Sequence, residues 1–107
     1  MWHNICKLSQ LDRHFGANAL VGEQQIALFY LPTQECKVYA IDNWDPIGHA
    51  FVLSRGIIGD VKGKPCVASP LYKQHFDLQT GECVEQPETK VKTWPVKIED
   101  ECVWLQV

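Results

Sequence analysis

Cysteine and histidine are the residue types in this chain that could bind an iron–sulfur cluster or a similar transition-metal centre. The five cysteines stand far apart in the sequence, at Cys6, Cys36, Cys66, Cys83 and Cys102. None of them forms a C-x-x-C pair, so the sequence contains neither a zinc knuckle nor a thioredoxin-type dithiol. An odd number of widely spaced cysteines is also untypical of a secreted disulfide framework. We therefore predict free thiols, most of them buried and packed as small hydrophobes.

Three blocks of sequence carry the strongest motif signal. Residues 40–49 read AIDNWDPIGH, residues 52–58 read VLSRGII, and residues 67–83 read VASPLYKQHFDLQTGEC. Together they resemble the two cluster-binding loops of Rieske-type ferredoxin domains, above all in the F-D-L-x-T-G-E-C end of the third block. That family binds a [2Fe–2S] cluster through C-x-H in its first loop and C-x-x-H in its second. The resemblance implies one Rieske-like domain over residues 1–107.

The positions of the four cluster ligands are all substituted in this chain. Asp45 and Ile47 stand where the first motif has Cys and His, and Ser69 and Tyr72 stand where the second motif has them. None of these side chains supplies a thiolate or an imidazole, the donors that such a cluster requires. We predict that this chain holds no iron–sulfur cluster and no other cofactor.

Other potential ligands lie near these positions. Cys66 comes three residues before Ser69 and is expected on the opposite face of its strand. Cys83 follows the turn at Gly81 and is expected outside the loops. An unorthodox metal centre built from His49, His75 and the cysteines is therefore kept as an alternative.

The particular substitutions narrow the resemblance further. Asp-Pro in the first loop, Leu-Ser-Arg-Gly between the loops, and Ala-Ser-Pro-Leu with Lys-Gln in the second loop are similar to the small subunit of NAD(P)H-dependent nitrite reductase. In that family the large subunit carries FAD, sirohaem and a [4Fe–4S] cluster and reduces nitrite to ammonium in nitrate assimilation. The resemblance implies a structural or regulatory small subunit with no catalytic residues of its own, and it does not distinguish NADH from NADPH.

The loops must be positioned by short strands, because strand patterns separated by turn signals fill the sequence. Helical periodicity is absent, so we predict an all-β fold, a small antiparallel sandwich or barrel with a cluster-binding-like subdomain. The predicted strands cover residues 4–8, 25–31, 37–41, 56–60, 65–69, 75–78, 96–98 and 103–107, with a loop from residue 42 to about residue 55. Gly81 is expected to have a positive φ in a turn.

Composition excludes several classes of partner. The formal net charge is −3 and the ten Lys and Arg residues form no dense run, which argues against a nucleic-acid partner. No apolar stretch approaches the ~20 residues that span a bilayer. The N-terminus lacks the features of a signal peptide, so a cytoplasmic protein is expected.

Loops on a rigid β scaffold commonly carry binding residues, and we predict that the loop tip docks onto the large subunit. The predicted docking residues are Asp45, Ile47, His49, Tyr72, Lys73 and Gln74. The competing interpretation is that they simply fill the space that a cluster would occupy.

The sequence also suggests roles for one arginine and three of the tryptophans. Arg55 is expected to form a salt bridge with Asp45 or Asp60, and Trp44 is a candidate interface anchor. Trp94 and Trp104 are expected in the core.

Two alternative functions remain open from the sequence. One is an electron carrier that uses the unorthodox metal centre. The other is a free-standing binding module that serves a different reductase or oxygenase.

Overall fold

The computed structural model describes residues 1–34 and 36–107. This part of the chain consists of strands, two short 3-10 helices at Leu8–Gln10 and Leu53–Arg55, and connecting turns. Neither helix is a candidate for a membrane-spanning segment. The strands are β1 (Trp2–Lys7), β2 (Gly16–Val21), β3 (Gln24–Tyr30), β4 (Val38–Asp42), β5 (Trp44–Asp45), β6 (Ala50–Phe51), β7 (Ile57–Val61), β8 (Lys64–Ala68), β9 (His75–Asp77), β10 (Val96–Glu99) and β11 (Cys102–Gln106).

The strands form three antiparallel sheets and one small hairpin. The first sheet has the order β1-β11-β10, the second β2-β3-β4 and the third β7-β8-β9, while β5 pairs with β6 alone. The first and third sheets lie on opposite faces of the second sheet, as the two core clusters show. The all-β fold of small antiparallel sheets predicted from the sequence is confirmed.

β3 lies between the two cores and contributes side chains to both of them. Its residues Ile26 and Leu28 face the cluster that is closed by Val103 and Leu105 of the first sheet. Ala27 and Phe29 face the opposite cluster, which includes Val67 and Phe76 of the third sheet. A strand covered on both faces needs apolar side chains at successive positions, which explains the continuous run IALF in β3.

The structure has a strand at each predicted position, and three strands were missed. β3 pairs with β4, β7 with β8, and β10 with β11. β2 has the sequence GANALV, whose Gly, Asn and Ala are poor strand formers, and it is ordered by pairing with β3. β5 and β6 are two residues each, too short to show alternation, and they lie in the segment predicted as a loop.

Two of the predictions about tryptophans can be judged from burial. Trp94 is buried in the core, as predicted. The prediction for Trp104 was wrong: its neighbours Val103 and Leu105 are fully buried, so the alternation of β11 directs Trp104 to the outer face of the sheet. There the Lys97 ammonium lies 4.7 Å from the ring centroid of Trp2 and 5.6 Å from that of Trp104.

Candidate functional site

Residues 45–49, which we call the first turn, connect β5 to β6. Asp45 is fully buried, and its Oδ1 atom accepts backbone hydrogen bonds from Ile47 at 2.8 Å and Gly48 at 2.9 Å. The backbone N–H of His49 closes the turn by donating to the carbonyl of Asp45 at 2.8 Å. His49 has a φ of 57°, a left-handed conformation that few residues other than glycine adopt readily. The local sequence Asp-Pro favours such a side-chain-stabilised turn.

Residues 69–73, the second turn, connect β8 toward β9 and repeat this pattern. Ser69 is buried, and its Oγ atom accepts a hydrogen bond from the backbone N–H of Leu71 at 3.3 Å. The backbone N–H of Lys73 donates to the carbonyl of Ser69 at 3.0 Å, and Lys73 has a φ of 63°. Pro70 follows Ser69 as Pro46 follows Asp45.

The two turns are joined at their first residues. The Ser69 hydroxyl donates to Asp45 Oδ2 at 2.5 Å, 24 positions away in the sequence. The buried carboxylate thus receives two backbone N–H groups and one hydroxyl, which offset the cost of removing a charge from water. These are two of the four substituted ligand positions, and in this chain they hold the loops together directly.

Asn43 fixes the base of the first turn. Its side chain is buried, accepts the backbone N–H of Ser54 at 2.7 Å and donates to Gln25 at 3.3 Å. Its backbone carbonyl accepts the N–H of Leu53 at 3.1 Å. The strand β3 and the short helix at Leu53–Arg55 are therefore tied to the point where the first turn begins.

Glu85 fixes the exit of the second turn. Its carboxylate accepts the backbone N–H of His75 at 2.8 Å and lies 2.7 Å from His75 Nδ1. Burial acts to raise the pKa of Glu85, but the backbone and side-chain hydrogen bonds of His75 outweigh it and hold that pKa below its usual value. The ring of His75 therefore has a hydrogen-bonded partner in Glu85.

The side chains at the substituted ligand positions do not fit an iron–sulfur cluster. Both oxygens of Asp45 are engaged in hydrogen bonds within the protein, and Ser69 donates its only hydroxyl proton to one of them. Ile47 has no donor atom and packs against the core, and Tyr72 is 66% exposed. In the two described stretches, 1–34 and 36–107, no three His, Cys, Asp or Glu side chains are grouped so that they could hold a metal ion.

The predicted docking residues divide into three groups by their exposure. His49, Tyr72 and Lys73 are exposed, whereas Ile47 and Gln74 are half-buried. Asp45 is 0% exposed, so its side chain cannot contact a partner. It can affect docking only by fixing the shape of the first turn. Beside the first turn, the Trp44 ring makes edge-on contacts with His49 and with the half-exposed Phe51, at centroid distances of 6.1 Å and 4.9 Å.

The expected salt bridge of Arg55 does not form. Arg55 is exposed, and the ion pairs in the described part of the chain are His75–Glu85 and Lys97–Glu99. The reason is that the Asp45 carboxylate turns inward, toward Ser69, while Asp60 lies at the far end of β7.

The thiols are less uniformly buried than the sequence suggested. Cys66 and Cys83 are buried, Cys6 and Cys102 are half-buried, and Cys36 is exposed. Burial raises the pKa of Cys66 to about 11, with a further contribution from Asp77. Burial also raises the pKa of Cys83. Groups of this kind are poor nucleophiles and poor metal ligands near neutral pH.

Sequence reasoning missed the roles of Asn43, Gly48 and Glu85. One signal was visible: Asp-Pro and Ser-Pro recur at the same place in both loops, and both residues form side-chain-to-backbone turns. The link between Asp45 and Ser69 had no local signal, because it depends on the register of two different sheets.

Comparison with known proteins finds relatives that match nearly the whole chain. The family model described as a Rieske-like [2Fe-2S] domain matches residues 1–106. The chain is 42% identical over 105 residues to the nitrite reductase (NADH) small subunit of Salmonella typhimurium, covering 98% of this chain and 96% of that protein. The solution NMR structure of the nitrite reductase [NAD(P)H] small subunit from Erwinia carotovora has a TM-score of 0.81 at 40% identity, covering 99% of this chain and 81% of that one.

A third relative is much longer than this chain. The nitrite reductase [NAD(P)H] large subunit of Klebsiella oxytoca is 46% identical over 104 residues. The match covers 97% of this chain and 11% of that protein. A domain similar to this chain therefore occurs both as a separate small protein and within a longer polypeptide.

Proposed function

This chain belongs to the Rieske-like family of nitrite reductase small subunits, and we propose that it acts as the non-catalytic small subunit of an NAD(P)H-dependent nitrite reductase. The observation that carries the proposal is the Asp45–Ser69 hydrogen bond, which occupies two of the ligand positions of a family defined by its cluster. The chain keeps the scaffold of an electron carrier, and the residues at the ligand positions serve to join its loops.

The reaction belongs to the large subunit in this proposal. NAD(P)H supplies electrons through FAD, sirohaem and a [4Fe–4S] cluster of that subunit, and nitrite is reduced to ammonium in the cytoplasm for nitrate assimilation. The Klebsiella relative supports the partnership, because a domain similar to this chain lies within a polypeptide that is named a large subunit. A domain that can be part of the large subunit is well suited to bind it as a separate chain.

The two turns supply the docking surface in this proposal. His49 and Lys73 stand at equivalent positions of the two turns, and Leu71 and Tyr72 beside them are 45% and 66% exposed. Residues 46–56 and 70–74 contain one Arg, one Lys and one His but no Asp or Glu, although the whole chain carries a net charge of −3. His75 is left out because the Glu85 carboxylate lies against it. A cationic, partly apolar tip on an acidic protein fits an acidic surface with an apolar centre on the large subunit.

The first experiment is co-purification with the large subunit from the same organism. The proposal predicts a stable complex that oxidises NAD(P)H in the presence of nitrite, and a small subunit that is colourless and free of iron when purified alone. A purified chain with stoichiometric iron and visible absorption would instead support the electron-carrier alternative. A failure to bind the large subunit, with capture of a different reductase or oxygenase, would support the binding-module alternative.

A further inference from the structure

The first and second turns are built alike, residue by residue. In each, the side-chain oxygen of the first residue accepts the backbone N–H two positions later: Asp45 from Ile47, and Ser69 from Leu71. In each, the first carbonyl accepts the N–H of the fifth residue, His49 or Lys73, which is left-handed. The two turns are therefore equivalent units related across the Asp45–Ser69 hydrogen bond.

This hydrogen bond is the polar link between the two equivalent units. Each turn is closed by its own backbone hydrogen bond and would keep its local shape without the other. The link depends on two buried atoms, Asp45 Oδ2 and Ser69 Oγ, which belong to different parts of the chain. Its loss would leave the Asp45 carboxylate held by the first turn alone, so that its hydrogen bonds within that turn would weaken and the two turns could shift relative to each other.

We propose that Asp45 and Ser69 are positioning residues that hold the two turns in one fixed arrangement and thereby fix the spacing of His49, Tyr72 and Lys73. Neither residue can touch a partner, because their exposed fractions are 0% and 1%. They act through the backbone N–H groups that they bind and through each other. The effect on partner binding rests on the proposed docking function, whereas the effect on the turns can be measured in the isolated chain.

The equivalence of the turns makes a specific rescue possible. In the double variant Asp45→Ser and Ser69→Asp, the serine oxygen at position 45 can accept the N–H of Ile47 as Ser69 now accepts that of Leu71. The carboxylate at position 69 can accept the N–H of Leu71 and still receive the hydroxyl of the residue at position 45. If Asp45 acted only within the first turn, the double variant would not be rescued, because its carboxylate lies at position 69 in the second turn.

The test compares three variants of the full chain. Ser69→Ala breaks the link, the exchanged double variant restores it, and Ser54→Ala is a matched control, because the Ser54 hydroxyl makes no hydrogen bond to the described residues. Amide hydrogen exchange is measured at Ile47 in the isolated chain, because Ser69→Ala leaves the acceptor of that N–H in place and the serine of the exchanged variant can also accept it. The dissociation constant is measured with the large subunit. Loss of one buried hydrogen bond corresponds to a change of about tenfold in each quantity.

We expect Ser69→Ala to raise the exchange rate at Ile47 and the dissociation constant by about tenfold, with the exchanged variant restoring most of each and the control changing neither. Unchanged exchange in Ser69→Ala would overturn the proposal. If the exchanged variant fails to fold, Asp45→Asn takes its place, because the amide keeps the acceptor for Ile47 and can donate to Ser69. An amide exchange rate in Asp45→Asn as high as that in Asp45→Ala would then contradict the proposed link. If the wild-type chain does not bind the large subunit, the docking function fails, and the exchange data still decide the positioning role.

Discussion

Leu71 of the second turn packs directly over Gly48 of the first turn, so the two turns meet through an apolar contact as well as through a hydrogen bond. A methyl group at Gly48 would overlap Cδ1 of Leu71 and come within 2.9 Å of Asp45 Oδ2. The glycine is therefore required by the close approach of the turns. The sequence motif contains this glycine, but its neighbour in the other loop could be identified only from the structure.

Substitution of Gly48 by alanine should loosen this contact. Leu71 is half-exposed and can turn away, but Asp45 is buried and must shift to accommodate the methyl group. We expect Gly48→Ala to lower the free energy of unfolding by about 1–2 kcal/mol, as overpacking of a close contact usually does. Urea denaturation measures the change. Gly59→Ala is the control, because a methyl group at Gly59 would meet no atom within 4 Å.

Glu85 should make stability depend on pH in the acid range. Its pKa is lowered in the folded protein, so its contribution is present above the unfolded value near 4.5 and is lost as the pH falls through the folded value. Because the side chain is 45% exposed, the contribution is expected to be at most about 1 kcal/mol. Denaturation of wild type and Glu85→Gln at neutral and acidic pH measures it. A gap between the two proteins that does not narrow in acid would contradict the assignment.

A substitution in the turn between β10 and β11 should raise the stability of the protein. Asp100 and Glu101 both have positive φ, at 53° and 61°, in a two-residue hairpin turn that favours Asn-Gly. We expect Glu101→Gly to raise the unfolding free energy by about 0.5–1 kcal/mol, since glycine adopts this conformation without strain. Thermal denaturation measures the gain. Glu101→Ala removes the same charge but not the strain, and an equal gain in that variant would attribute the effect to charge.

Thiol labelling should follow burial. Cys36 is exposed, whereas Cys66 and Cys83 are buried and have raised pKa values. In the native protein near neutral pH we expect one cysteine to react rapidly with iodoacetamide and Cys36→Ser to abolish that rapid phase. Mass spectrometry of the labelled peptides identifies the site. Rapid modification of Cys66 would show that the third sheet opens readily.

The sequence predicted the fold class and most of the strands because those depend on local patterns. The alternation in β10 and β11 and the turn at Gly81, which has a φ of 80°, were readable in this way. β2 was missed because its residues are poor strand formers and its order comes from β3. Trp104 was misplaced because one tryptophan in an alternating strand does not reveal which face is inside.

The candidate site was located in the correct loops, but its internal contacts were not predicted. Substitution of the four ligand positions was visible in the sequence, whereas the pairing of Asp45 with Ser69 arises only when the β5–β6 hairpin and the third sheet pack together. Arg55 was expected to pair with Asp45, and that expectation failed because the carboxylate is satisfied from within the protein. Partners of buried polar groups depend on tertiary structure, which spacing alone does not give.

The central claim is that this domain works by docking through its two turns, and the most direct measurement is the affinity of charge variants for the large subunit. Lys73 lies in the second turn, whereas Lys62, which is also exposed, lies at the opposite end of the β7–β8 hairpin. We expect Lys73→Glu, combined with Tyr72→Ala, to raise the dissociation constant by about tenfold or more and to reduce its dependence on salt. Lys62→Glu should bind as wild type does. Equal affinity of the turn variant and the Lys62 variant, with both proteins folded, would contradict the account.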